Sequence, residues 1–330
     1  MKRYALALLL ASACGAPAPK AGPAAQESLG EEHPLTGKIF DSRADDFVEL
    51  DTVREEVSRA KFILLGEKHD NPAHHLGQAS VLAMVTKGDR KPALVWEMVH
   101  RKQGLDEPLY LGSAEAFGES LKWEESGWPS YSMYQPIVEV ALGGGLAQYP
   151  GNLEPAAMRT AYTESLAGLD SERARAVGVS TTLAGEALED LRKEIEKGHC
   201  GYGDANMLDS MAAAQQSRDA FMAKQMRDHQ TADGAVLIAG GGHVRRDRAV
   251  PFHLVDSKDV TVDDLLVITW VEVRDDELDP RSYAGDETPV FDLVFFTPRI
   301  SNEDPCDQFA EQVERIRKQV REEKEGAEVQ

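Results

Sequence analysis

Long apolar runs are scarce in this chain, and what is missing narrows the reading. ALALLLA (5–11) is far too short to cross a bilayer as a mature helix. Positive charge is also in short supply: 36 Lys and Arg face 57 Asp and Glu, for a formal net charge of -21. Nucleic-acid phosphates would be repelled by such a surface, so nucleic acid is not an expected partner. Only three cysteines occur, Cys14, Cys200 and Cys306. An oxidising compartment would allow the last two to pair, but nothing in the sequence places them close together, and they are read as free thiols. There is no HExxH helix, no CxxCH attachment site and no GxSxG nucleophile elbow. The glycine run at 240–242 lacks the Lys-Ser/Thr ending of a phosphate-binding P-loop.

What is present begins with a targeting segment. MKRY is cationic, a short apolar stretch follows, and small residues lead to Cys14. LASAC (10–14) resembles the lipobox of bacterial lipoproteins, although Ala11 stands where leucine is usual. Cys14 is then the lipidated N-terminus, with a plain secretory signal as the alternative. Residues 15–36, rich in Pro, Ala and Gly, read as a flexible tether to a membrane surface of the bacterial cell envelope.

Globular patterning starts near Gly37. KFILL (61–65), ALVWEM (93–98) and AVLIA (235–239) read as strands buried on both faces, and apolar runs at 265–273 and 290–296 as two more. Pro72 to Thr86 reads as a helix with Asn71 as N-cap, its apolar side carrying Leu76, Ala79, Leu82, Ala83 and Val85. The fold class is α/β: a mixed, mostly parallel sheet with helices on both faces and a helical insertion over about 108–229. The main domain spans 37–275. A C-terminal extension, 276–330, adds a strand and a charged helix.

Ligands of open α/β sheets sit beyond the carboxyl ends of the parallel strands. Glu67 and His69 follow one strand, Glu97 closes another, and His243 follows the glycines after a third. A carboxylate at the end of an apolar strand is costly to bury without a partner. His74 and His75 point about 100° apart on their helix, so at most one faces this cleft. Glu67, His69 and His243 are candidate metal ligands. The same three with Glu97 would carry catalysis if the chain is a hydrolase. Arg245 and Arg246 can hold a carboxylate such as a haem propionate. His199 is a further ligand candidate, and Tyr131 and Tyr134 can line a planar-ligand pocket or supply a phenolate to haem iron.

Five stretches together, ILLGEKHDNPAHH, LVWEMV, GWPSYSMYQPIVEVAL, HCGYGDANML with MAAAQQSRDAFMAKQM, and LIAGGGHVRRDRAVP, resemble the ChaN family of haem-binding uptake lipoproteins within the Tiki/erythromycin-esterase-like superfamily. The resemblance runs from Phe62 to Pro251. It implies non-covalent haem as ligand, a role in iron acquisition as a carrier or holding site without turnover, and a lipid anchor in the membrane. The wider superfamily leaves open a metal-dependent hydrolase, a divalent ion as cofactor, and a homodimer. The chain departs from the family pattern at AQYPGNL (147–153), where a strand is expected to be short or irregular, and beyond about Asp275.

Overall fold

The computed structural model describes residues 29–100, 109, 112–168, 178–257, 259–285, 288–304, 306–307, 309–311, 313–315 and 318. The leader, Cys14, most of the tether and the end of the tail helix lie outside them. Eight strands form one sheet: β1 Ile39–Asp41, β2 Asp46–Val48, β3 Phe62–Glu67, β4 Ala93–His100, β5 Gln148–Asn152, β6 Ala235–Gly240, β7 Leu265–Glu272 and β8 Leu293–Thr297. Their spatial order is β2-β1-β8-β7-β3-β6-β4-β5. The six strands from β8 to β5 are parallel, and β1 runs antiparallel to β8 and β2. The expected mixed, mostly parallel sheet is therefore present.

The helices are α1 Leu50–Arg59, α2 Pro72–Val85, α3 Ala114–Ser120, α4 Tyr131–Gly143, α5 Pro155–Gly168, α6 Gly185–Gly198, α7 Ala205–His229, α8 Val250–Asp256 and α9 Arg281–Ala284. They cover both faces of the sheet, and alternate strand residues feed two cores. Ile63, Leu65, Leu94, Trp96, Val236 and Ile238 pack with residues of α1, α2 and α4. Phe62, Leu64, Val95 and Leu237 pack with Met222 and Met226 of α7 and Val250 and Leu254 of α8. That double burial is why the central strands read as unbroken apolar runs.

The start of α2 is as expected: Asn71 Oδ1 accepts from the Ala73 N–H at 2.9 Å, with Pro72 in the first turn. Its inward face is not. Leu76 is 56% exposed and Ala83 is also exposed, while His74, His75 and Gln78 are buried beside Ala79, Leu82 and Val85. The first turns of α2 stand over the polar ends of the strands, so polar side chains face inward there. Both histidines are buried, but on different partners. His74 accepts from the Lys68 N–H at 2.9 Å and lies 2.8 Å from the Thr297 hydroxyl, which ties the β3–α2 turn to β8.

The run at 290–296, read as a strand, supplies β8, which lies inside the sheet between β7 and β1, with the N-terminal hairpin closing that side. A boundary at 276 thus separates β8 in sequence only. Cys200 and Cys306, read as free thiols, form a disulfide across 106 residues with Cα atoms 5.5 Å apart. Proximity created by tertiary folding leaves no local trace. At AQYPGNL the strand is short, as anticipated, and its pairing with β4 is shifted between Trp96 and His100.

Gly77 shows how closely α2 approaches the sheet. A Cβ there would lie 2.1 Å from the Trp270 indole nitrogen. Alanine raises helix propensity by up to about 1 kcal/mol, but overpacking costs about 1–3 kcal/mol. Gly77→Ala is therefore expected to lower the denaturant midpoint at unchanged slope. A rise in midpoint would mean that Trp270 moves aside freely.

Candidate functional site

The topology explains why distant residues meet. β6 follows β4 late in the sequence yet enters the sheet between β3 and β4. The carboxyl ends of these three parallel strands are thus neighbours, bringing Glu67, the residues after Gly240, and Glu97 to one pole of the molecule. α2 and α4 border this pole on one face of the sheet and α7 on the other.

Glu67 has no exposed side-chain surface. Its Oε1 lies 2.8 Å from His69 Nδ1 and accepts from the Tyr134 hydroxyl at 3.3 Å. His75 Nδ1 lies 2.6 Å from Oε2, at an angle that makes no hydrogen bond, while His75 Nε2 is 3.0 Å from the His69 carbonyl. Burial pushes the Glu67 carboxyl up, but His75 and His69 outweigh it and hold it at about 2.

Glu97 is the second buried carboxylate. It takes a hydrogen bond from the Gly240 N–H at 2.7 Å, an ion pair with Arg218 of α7, and His243 Nε2 at 3.2 Å. Burial again works against its charge, yet His243, Arg218 and His69 hold it well below the usual carboxylate range. His243 in turn places Nδ1 2.5 Å from Asp219 of α7. Burial lowers the His243 pKa, but Glu97 and Asp219 raise it to about 9. His69 links the two halves: its Nε2 lies 3.8 Å from Glu97 Oε2. Burial opposes its protonation, and Glu97 and Glu67 raise its pKa regardless. The result is an alternating series, His75–Glu67–His69–Glu97–His243–Asp219, in which every carboxylate touches an imidazole.

Glycine is required within this series. A Cβ on Gly240 would come 2.9 Å from His69 Nε2, and the Gly240 N–H is spent on Glu97 rather than on an outside anion. At the mouth, the His69 side chain is 28% exposed, against 0% for His75 and 7% for His243. Half-buried Trp128 meets the His69 ring edge-on, with centroids 4.9 Å apart.

The other sequence candidates are each committed to partners of their own. Tyr134 is fully buried with its hydroxyl on Glu67, and burial raises its pKa well above the ordinary value. Tyr131 packs against Phe117 and Trp123 and donates its hydroxyl to the Ala114 carbonyl. Arg246 is committed to Asp292, at 2.8 and 2.6 Å, and braces the base of β8. Arg245, 23% exposed, pairs with Asp247 at 2.7 Å and approaches Glu194 of α6 at 3.9 Å. His199 is buried beside the disulfide, its Nδ1 2.7 Å from the Ile195 carbonyl. Among the described residues, no three His, Cys, Asp or Glu side chains converge as a metal site would need.

Sequence reasoning did not single out Arg218 and Asp219, and it left His75 as one of an undecided pair. A signal existed for the first two. QQSRD (215–219) interrupts a helix otherwise rich in Ala and Met, and Gln216, Ser217 and Asp219 are all buried.

The His243 shift yields a pH prediction. Its folded pKa of about 9 lies above its ordinary 6.5, so its stabilisation is complete below 6.5 and lost as pH rises through about 9. The melting temperature should fall over that window. Asp219→Asn removes one of the two carboxylates and should move the fall to lower pH. A pH profile identical in the variant would mean that another group titrates.

No curated protein sequence matches the chain. A solved structure described as cofacial haem binding to ChaN of Campylobacter jejuni superposes with a TM-score of 0.61 at 19% identity, covering 78% of this chain and 95% of that one. At that identity the likeness speaks to the fold, and it agrees with the α/β architecture above. Residues 53–254, more than half of the chain and including every member of the alternating series, match the family described as haem-binding uptake, Tiki superfamily, ChaN. This chain belongs to that ChaN family.

Proposed function

We propose that this protein binds haem non-covalently at the mouth of the strand-end cleft and serves as a carrier or holding site in haem or iron uptake. The observation that carries this reading is the His69–Trp128 pair. His69 is the most exposed imidazole of the series, and an aromatic ring lies edge-on beside it. Haem requires an apolar wall, an axial donor and cations for its propionates. Trp128 would supply the wall, His69 the donor, once its Nε2 proton is lost and its Nδ1 stays on Glu67, and half-buried Arg245 a cation. When bound, the haem would supply the iron that a carrier holds, with His69, Trp128 and Arg245 as the residues that would hold it. The chain's own residues would orient the ring and hold the His69 imidazole by its Nδ1. Tyr131 and Tyr134 fit the donor role poorly, because both hydroxyls are already engaged inside the protein.

The family description and the cofacial haem reported for the Campylobacter protein support the ligand. In this reading Cys14 is lipidated, residues 15–36 tether the domain to a cell-envelope membrane, and two copies can face one another across haem. A hydrolase working through a divalent ion has less support. Its ligands would have to converge, and here the imidazoles are divided among separate carboxylates.

Haemin titration of the protein, followed by absorbance, tests the proposal. Saturable binding with a Soret shift is expected. His69→Ala and Trp128→Ala should each weaken it about tenfold or more, equivalent to about 1.4 kcal/mol, while Tyr131→Phe should leave it unchanged. Non-saturating uptake indifferent to all three variants would overturn the proposal.

A further inference from the structure

α6 borders the cleft, and it is lightly attached. Of its fourteen residues only Leu191 is buried. Leu191 belongs to a small cluster with Leu183 and Ala212, joined by half-buried Ala187, Leu188 and Ile195 of α6 and by Phe252, and separate from both main cores. Hydrophobic burial at about 25 cal/mol per Å² therefore contributes little here compared with the sheet helices. The remaining anchors are polar: Arg192 of α6 reaches Asp209 of α7 at 2.7 Å, and Glu194 pairs with Arg248. Glu194 also marks α6 as a wall of the cleft. Its Oε1 lies 3.5 Å from where a Cβ on Gly242 would stand, one residue before His243.

Residues with positive φ flank both ends of α6. It starts at Gly185, with φ of +58°, and Ala184 before it provides no side-chain cap. It ends at a turn in which Cys200, Gly201 and Gly203 all have positive φ, at 56°, 72° and 136°. Three positive-φ positions within four residues make a sharp reversal with few alternatives for a bulky residue. The covalent tie is placed in this turn: Cys200 is bonded to Cys306, and Phe309 packs on Tyr202 and His199 with centroids 5.6 and 5.8 Å apart. Cys306 lies beyond the region matched by the family, 53–254. The tie therefore joins the family core to a segment outside it.

We infer that the Cys200–Cys306 disulfide is a redox-cleavable latch that holds α6 against the cleft, so that reduction lets α6 swing and changes access to the site. Both cysteines are half-buried, within reach of a small dithiol. A thiolate of the dithiol attacks one sulfur and releases the other as a thiolate. The second thiol of the reductant then attacks the reductant's own sulfur in the mixed disulfide, breaking the bond to the protein and releasing the remaining cysteine as a thiolate. Two protons and two electrons pass to the protein, which ends with two thiols, and the dithiol becomes a disulfide. The identity of what enters the cleft rests on the haem reading; the latch itself does not.

Hydrogen exchange by mass spectrometry on the full chain, untreated and after dithiothreitol, tests the latch, with Cys306→Ser as a reductant-free equivalent. Amides of 185–204 are expected to exchange about tenfold faster without the bond, while the buried stretch 211–226 of α7 keeps its protection. Unchanged exchange in 185–204 would overturn the latch. So would an equal rise across the whole domain, which is the mark of a general staple, or free Cys200 and Cys306 thiols in the untreated protein. Haemin dissociation measured in both states separates the two proposals. Faster α6 exchange with unaltered dissociation would overturn the change of access, whereas absence of saturable haemin binding would overturn the haem reading and leave the latch.

Discussion

Two carboxylates buried at the ends of parallel strands are the constraint around which this pole of the molecule is organised. An ionised carboxylate taken out of water without compensation costs several kcal/mol. Glu67 and Glu97 are both almost fully buried, so compensation must come from side chains delivered by other elements. α2 brings His75, the β3–α2 turn brings His69, the segment after β6 brings His243, and α7 brings Arg218. Each partner is in turn fixed by something else: His75 by the His69 carbonyl, His243 by Asp219. Loss of one member would leave a buried charge exposed to its neighbours rather than to water. This makes the series a mutual restraint on the whole β3–β6–β4 pole.

That restraint depends on strand order. If β4 paired directly with β3, Glu67 and Glu97 would face each other without the Gly240 N–H or His243 between them. The insertion of β6 supplies both, and it can come so close only because Gly240 has no side chain to meet His69. The same closeness recurs where Gly77 of α2 lies on Trp270, holding the helix low enough for His75 to reach Glu67. Backbone proximity and charge compensation are therefore linked: small residues set the distances at which the polar partners work.

The architecture away from this pole divides into firm and light attachment. The sheet and the helices on it share two large cores. α6 has a minor core, polar anchors and a disulfide to a distant segment. A wall of the cleft is thus built from a helix with little fully buried surface. Regions that open locally are usually drawn from such low-burial elements.

The sequence by itself determined the central strands and the helix between the first two. Runs such as FILLGE and ALVWEM admit little else, and Asn71-Pro72 marks a helix start through backbone chemistry that needs no tertiary partner. It also marked Glu67, His69, Glu97 and His243, because polar groups at the ends of apolar strands stand out in one dimension. It did not determine the neighbours of those groups. Arg218 and Asp219 lie within a helix whose pattern otherwise reads as packing, and Tyr131 and Tyr134 read alike although only Tyr134 reaches the cleft. Nor could it pair Cys200 with Cys306 or place β8 inside the sheet. Strand order and helix rotation decided these, because proximity across many tens of residues is set by which apolar faces bury each other, and a buried face can be satisfied by several partners until the whole fold chooses one.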